Sequence, residues 1–205
     1  MKLQRKVQNQ DGFTLLELLI ATTVFSVILL LCTYGMVQVG NTFYKGSTLV
    51  RTQNANRKAM DTISQALQYG GNDVRTNLGG GTGTIVDAAT GSGVFCTGNL
   101  RFRFVKNEPV RTGQIALVVD NEGAACSSYN NANTNDDKEL LGDNMRITRL
   151  EIVESSGSYR IHLAIGYGDK SVSEDVIDPA TGLCRANTSS QFCATSEFNT
   201  TVIRR

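Results

Sequence analysis

The sequence predicts an α+β protein in which one long N-terminal helix, first transmembrane and then amphipathic, packs on an antiparallel β-sheet with disulfide-closed loops. Three observations lead to this fold class. A membrane-length apolar run begins at Phe13, a proline-free stretch with helical spacing of apolar residues continues to Tyr69, and short alternating runs between Gly, Ser and Asn follow. The 205 residues suffice for one membrane anchor and one globular domain.

Residues 1–12 form a basic leader with no apolar core of its own. The apolar run that follows covers about 27 positions, or roughly 40 Å as a helix, which exceeds a hydrocarbon core of about 30 Å. We therefore predict that residues 13–40 span a membrane. The run contains one acid, Glu17. An ionised acid near the hydrocarbon costs roughly 2.5 kcal/mol or more, so Glu17 needs a partner.

Residues 41–70 are predicted to continue the same helix as an amphipathic half. Met60, Ile63 and Leu67 share one face by their i, i+3, i+4 spacing, and the glycines at 70–71 are a plausible stop. This face requires a packing partner, which the rest of the chain must supply.

Residues 71–205 are predicted to form a β-rich head. The glycine cluster at 79–83 lacks the Lys-Ser/Thr ending of a phosphate-binding loop and is interpreted as a linker. Alternation and turn composition predict a hairpin loop at 155–158, a polar loop at 127–144, and strands at 100–105, 114–119, 147–154, 159–167 and 200–203. In the first strand, Arg101 and Arg103 alternate with apolar residues, which predicts that the arginines lie on a solvated face.

Five cysteines divide into Cys32, in the apolar run, and four beyond it. An even number outside a membrane segment favours two disulfides in an oxidising compartment, with free thiols as the alternative. Three pairings are possible, and proximity in sequence favours Cys96 with Cys126 and Cys184 with Cys193. Basic residues flank both ends of the apolar run, but an oxidising location for the head places the leader in the cytoplasm.

Composition and motifs predict neither an enzyme nor a metal or cofactor site. The net charge of +1 gives no nucleic-acid footprint. His162, the only histidine, alternates with apolar residues and is interpreted as a solvated residue on the polar face of a strand. The remaining candidates are acids whose spacing does not match a twelve-residue Ca²⁺ loop, so a solvated loop is preferred: Asp136, Asp137, Glu139 and Asp143.

The string from Asp11 to Glu17 resembles the prepilin processing site of type IV pilins and type II secretion pseudopilins. It has a basic leader, Gly12, then Phe13 opening an apolar helix, and Glu17 at the fifth position after the glycine. The resemblance covers about the first 40 residues. It implies that a prepilin peptidase cuts between Gly12 and Phe13 on the cytoplasmic side and then N-methylates Phe13.

Cleavage at this point would create an ammonium at Phe13, which the Glu17 of a neighbouring subunit can neutralise when helices pack in a filament. The pairing would also fix axial register, because subunits out of step would leave each charge alone in an apolar bundle. The alternative for Glu17 is a snorkelling acid at the end of an ordinary single-pass anchor.

The resemblance thus implies a pilin-like fold and an assembly function. The length, the late hairpin and the loop between Cys184 and Cys193 look more like a minor subunit of the J or W type than a major pilin. The implied partners are other pilin subunits, the prepilin peptidase, an inner-membrane platform protein, an assembly ATPase, and membrane lipid before assembly. A minor type IV pilin is favoured over a minor pseudopilin of type II secretion, and a membrane-anchored binding protein or enzyme is the third class.

Overall fold

The computed structural model describes residues 12–71, 74–78, 83–111, 113–126, 137–170, 175–185 and 192–205. The chain divides into two units, residues 1–42 and 43–205. The expectations for the leader before Gly12, for most of the glycine cluster at 79–83, and for the first part of the polar loop including Asp136 lie outside the described residues.

A single α-helix, α1, extends from Leu15 to Tyr69. Its N-terminal part is long and apolar enough to cross a membrane. The hydroxyls in this part donate to carbonyl oxygens of the preceding turn, as in the bonds of Thr23 to Ile20 and of Ser26 to Thr22, both 2.8 Å. A polar side chain bonded in this way within its own helix is tolerated in hydrocarbon, where no water is available.

Within residues 43–205, α1 buries one face against the β-sheets. Met60, Ile63 and Leu67, the predicted stripe, are all buried. The helix ends at Tyr69, where the Gly70 amide donates to the Ala66 carbonyl at 2.8 Å and Gly71 adopts a φ of 87°. Glycine reaches this left-handed conformation without steric cost, so the predicted stop at the glycines is confirmed.

The described residues of the head form two antiparallel sheets where the sequence predicted one. The five-stranded sheet has the order β1-β3-β4-β5-β6, and the four-stranded sheet has the order β2-β7-β8-β9. In chain order the strands are β1 (Val74–Thr76), β2 (Thr84–Val86), β3 (Ser92–Thr97), β4 (Leu100–Val105), β5 (Leu117–Asp120), β6 (Lys138–Glu139), β7 (Met145–Ser155), β8 (Ser158–Tyr167) and β9 (Ala194–Ile203).

The two sheets and the second half of α1 share one apolar core. Phe95 on β3 and Phe102 on β4 lie opposite each other in the register and stack with ring centroids 4.8 Å apart. From the four-stranded sheet, Ile161 and Leu163 of β8 are fully buried in the same core. The predicted α+β architecture, one long helix packed on antiparallel sheets, is confirmed.

The prediction that Arg101 and Arg103 lie on a solvated face is wrong, because their side chains are only 9% and 1% exposed. In the register they lie beside Cys96 and Val94 of β3, and a disulfide from Cys96 to Cys126 holds the chain after β5 over this face. Alternation shows which residues share a face, but not whether another segment covers it.

Acids on β5 and on the chain that follows it neutralise the two arginines. Asp120, opposite Arg101 in the register, accepts from the Nε of Arg101 at 3.0 Å and from the Nε of Arg103 at 3.2 Å. Glu122 pairs with Arg101 at 2.6 Å, and Asp137 pairs with Arg103. Burial lowers the pKa of Arg101, but the hydrogen bonds and charges of Asp120 and Glu122 outweigh burial and raise this pKa overall. A buried ionic network therefore replaces the expected solvated face.

The second disulfide joins Cys184 to Cys193 and closes a short loop before β9. Both disulfides are the pairs that proximity in sequence favours. The segment 175–185 is also fixed to β7, since Arg146, 1% exposed, makes a bidentate ion pair with Asp175 at 2.6 and 2.7 Å.

Candidate functional site

The N-terminal motif is built around the first turn of α1. Gly12 and Phe13 precede the helix and are exposed, and the helix begins two residues after the predicted start at Phe13. A Cβ added at Gly12 would meet no atom within 4 Å. The described residues therefore impose no steric need for glycine at this position.

Thr14 and Glu17 bond to each other reciprocally. The amide and the hydroxyl of Thr14 both donate to Oε2 of Glu17 at 2.9 Å, and the amide of Glu17 donates to the Thr14 hydroxyl at 3.3 Å. This arrangement is a capping box, in which an N-cap Thr and the acid three residues later satisfy two orphan amides of the helix start. In the single chain, the partner of Glu17 is thus Thr14.

The amide and the hydroxyl of Thr14 both donate to the same oxygen of the Glu17 carboxylate. Within the described part of the chain, Oε1 of Glu17 accepts no hydrogen bond, so it can accept one from a further donor. The sequence already contained this signal, because Thr-x-x-Glu before an apolar run is the pattern of a capping box. The prediction of a partner for Glu17 identified the residue but overlooked its neighbour. Cleavage after Gly12, methylation of Phe13 and docking through Glu17 stay predictions.

His162 lies on the outer face of β8, opposite to Ile161 and Leu163, as predicted. It is not freely solvated, since its side chain is 15% exposed and contacts two acids. Its Nε2 pairs with Glu197 of β9, and its Nδ1 lies 3.9 Å from Glu151 of β7. The sheet register places these neighbours around the imidazole, and the sequence pattern of β8 alone could not show them.

The predicted acidic loop is also more buried than expected. The Asp137 side chain is 1% exposed in its pair with Arg103, so the solvated-loop interpretation is wrong there. Glu139 accepts from the amides of Ala116 and Leu117 at 3.0 and 2.9 Å, and burial raises its pKa against these bonds. Among the described residues, no three His, Cys, Asp or Glu side chains are placed to hold a metal ion.

Comparison with known proteins gives one match. The family model described as the prokaryotic N-terminal methylation motif matches residues 7–33. No curated protein and no solved structure matches the chain significantly. The matched residues contain Gly12, Phe13 and the Thr14 to Glu17 capping box. Together with the apolar N-terminal helix and the disulfide-bonded β head, this motif supports membership of the type IV pilin and pseudopilin family.

Proposed function

We propose that this chain is a minor pilin that assembles through its N-terminal helix into a type IV pilus. The methylation motif at residues 7–33 carries the proposal. The leader, residues 1–12, is removed in the cytoplasm; residues 13–40 cross the inner membrane and later enter the filament core. Residues 41–70 support the head, residues 71–205. The head lies outside the cell, where it helps initiate assembly or presents a surface for adhesion, motility or DNA uptake.

The capping box supports a two-stage role for Glu17. Before assembly, Thr14 donates two hydrogen bonds to the Glu17 carboxylate within one chain, which reduces the cost of holding an acid near lipid. After cleavage, the new Phe13 ammonium of a neighbouring subunit can reach the open Oε1. The charge pair then forms without disrupting the cap, and register follows from it.

Partner proteins supply the remaining steps. The prepilin peptidase cleaves and methylates, membrane lipid holds the processed chain, and an inner-membrane platform protein with an assembly ATPase supplies the energy of extrusion. The motif supports the peptidase and the other pilin subunits as partners, because it is the site at which pilin subunits are cleaved and methylated.

The substitution Glu17→Gln tests the role of the charge. The Gln oxygen can still accept from Thr14, so the helix cap persists while the carboxylate charge is lost. We expect the variant to be cleaved after Gly12 but to be absent from sheared filaments. Mass spectrometry of the membrane and filament fractions measures the N-terminus, the methyl group and the amount of incorporated chain.

Asp61→Asn is the matched control, because Asp61 is an exposed acid on the same helix outside the motif. We expect it to enter filaments as the unchanged chain does. A mature N-terminus at Met1, or an E17Q chain that enters filaments normally, would contradict the proposal. Normal activity of E17Q in a binding or enzymatic assay would favour a membrane-anchored protein of another class.

The alternative is a minor pseudopilin of a type II secretion system, which carries the same motif. The proline-free helix α1 departs from many major pilins, which carry a helix-loosening proline in the apolar segment, but this departure does not separate a minor pilin from a minor pseudopilin. Deleting the gene and scoring surface pili, DNA uptake and exoprotein secretion in one strain separates the two. Loss of secretion with pili intact would identify the pseudopilin.

A further inference from the structure

A polar cleft of about 400 Å³ lies on the head, where β7, β8 and β9 meet two surface turns. One wall is the turn at Ala88 and Ala89, where the Ala89 amide donates to Asp87 at 2.8 Å. The facing wall is the segment 180–183, which the Cys184 to Cys193 disulfide and the Arg146 to Asp175 pair hold in place. The facing wall is therefore held to the rest of the head, as a preformed site requires.

The floor of the cleft is a small residue between two charged ones. Ala164 on β8 lies opposite Arg149 of β7 and opposite Glu197 of β9 in the register, and all three line the cleft. Two strand spacings separate Arg149 from Glu197 by roughly 10 Å at the backbone. The methyl side chain of Ala164 leaves this interval open. The floor is therefore apolar, with the hydrogen-bond donor Arg149 on one side and the acceptor Glu197 on the other.

Lys106 supplies a cation inside the cleft. Its half-buried ammonium donates to the Ala88 carbonyl at 2.8 Å, and within the described part of the chain no carboxylate forms an ion pair with it. Arg149, by contrast, pairs with Glu151 at 3.0 Å, and Glu197 pairs with His162. A partly desolvated ammonium without a counter-charge favours an anionic group beside it.

The remaining lining restricts the class of anion. Glu197, which lines the cleft, and Glu151, which pairs with the cleft-lining Arg149 at 3.0 Å, repel polyanions such as sulfated chains and nucleic acids. Thr148, Thr181 and Thr195 also line the cleft; their hydroxyls can bond to hydroxyls of a ligand, while alanine methyls can contact its C–H face. One negative charge, several hydroxyls and one apolar face describe a pyranose that carries a carboxylate.

We infer that this cleft binds a sugar carboxylate, that of a uronic or sialic acid residue, with Lys106 on the carboxylate and Glu197 accepting from the sugar hydroxyls. The site lies outside the N-terminal motif and goes beyond the assembly function. Sugar binding is tested on the isolated chain, so the result of the test does not depend on whether the chain enters a filament.

Isothermal titration of the full chain in non-ionic detergent micelles tests the inference with two acidic sugars. Sialyllactose is compared with lactose, and an unsulfated glucuronic acid tetrasaccharide with its carboxyl-reduced form. We expect one of the acidic sugars to bind about tenfold or more tightly than its neutral counterpart, as one charge-assisted hydrogen bond predicts. Which one binds distinguishes sialic from uronic acid.

Two variants locate the binding. Lys106→Met removes the charge at similar length, and Ala164→Leu fills the floor without touching a charged group; we expect each to weaken binding about tenfold or more. Lys138→Met, at an exposed lysine on β6 outside the cleft, should leave the affinity unchanged. Unfolding temperatures of all variants show that the head is intact.

Three results would overturn the inference: equal binding of the acidic and neutral sugars, equal binding of a hexaglutamate peptide, or full affinity in A164L. The peptide result would assign the cleft to acidic polypeptides instead. Since A164L keeps every charge and enlarges a side chain that lies outside the apolar core of the head, it remains informative even where K106M fails to fold.

Discussion

Asn56 shows how one polar side chain can fix a helix on a sheet. It is fully buried among the apolar residues of α1, and its Nδ2 donates to the carbonyls of Ser196 on β9 at 2.8 Å and Leu163 on β8 at 3.3 Å. A buried amide of this kind is stable only where it finds partners. Asn56 therefore selects one position of α1 along two strands.

We expect Asn56→Ala to lower the free energy of unfolding by about 1 to 3 kcal/mol, because it leaves the Ser196 carbonyl without its side-chain donor and opens a small cavity. Asn54→Ala is the control, since Asn54 is exposed on the same helix and undergoes the same gain in helix propensity. Urea unfolding of the solubilised chain, followed by tyrosine fluorescence, measures both. Equal stability of the two variants would contradict this role.

At the scale of elements, the segment 175–185 depends on one ion pair. Arg146 is 1% exposed on β7, and Asp175 is its bidentate partner. We expect Asp175→Asn to destabilise the head by about 3 kcal/mol, because it leaves a buried guanidinium without a counter-charge. Asp169→Asn removes an exposed pair with Arg111 and should change stability by less than about 0.5 kcal/mol. Urea unfolding compares them, and similar losses would refute the prediction.

The same ion pair predicts a pH dependence. Burial raises the pKa of Asp175, but the hydrogen bonds and charge of Arg146 outweigh burial, so the pKa lies below its ordinary value. The folded state then binds fewer protons than the unfolded state, and the stabilisation present above the ordinary pKa is lost as pH falls through the lowered pKa. The difference in stability between the unchanged chain and D175N should therefore shrink in acid. A stability difference between the two chains that does not change with pH would contradict the lowered pKa of Asp175.

The elements also show which structural information the sequence contained. The bounds of β4 match the predicted 100–105, since alternation over six residues is a local property. The hairpin at 155–158 is confirmed, with Ser156 and Gly157 both at positive φ. The predicted strand at 114–119 is shorter, Leu117–Asp120. The strands β1, β2 and β6 have at most three residues, too few for a periodic signal.

At the scale of the whole molecule, the two disulfides should contribute unequally to stability. They close loops with sequence separations of 30 and 9 residues. In the chain-entropy model these correspond to about 3.5 and about 2.5 kcal/mol. We expect replacement of Cys96 and Cys126 by alanine to lower the unfolding midpoint in urea more than replacement of Cys184 and Cys193. The reverse order would show that the packing around each bond, rather than loop length, dominates.

Whether the sequence predicted a site depends on how close the residues of that site lie to one another along the chain. The motif from Gly12 to Glu17 depends on residues within one turn of each other, and the sequence identified it. The cleft beside Lys106 depends on the register of three strands and on turns distant in sequence. No spacing in the chain predicts it, because tertiary packing alone brings these residues together.

The last strand has a consequence for how this protein behaves at high concentration. β9 pairs with β8 alone among the described residues, and it is ten residues long without proline or lysine. A long open edge is a template on which further strands add, and proteins usually protect such edges with charge. Glu197 is the one charged side chain on β9. We therefore expect Glu197 to oppose the addition of further strands to this edge, so that a substitution that removes its charge should increase aggregation at high protein concentration.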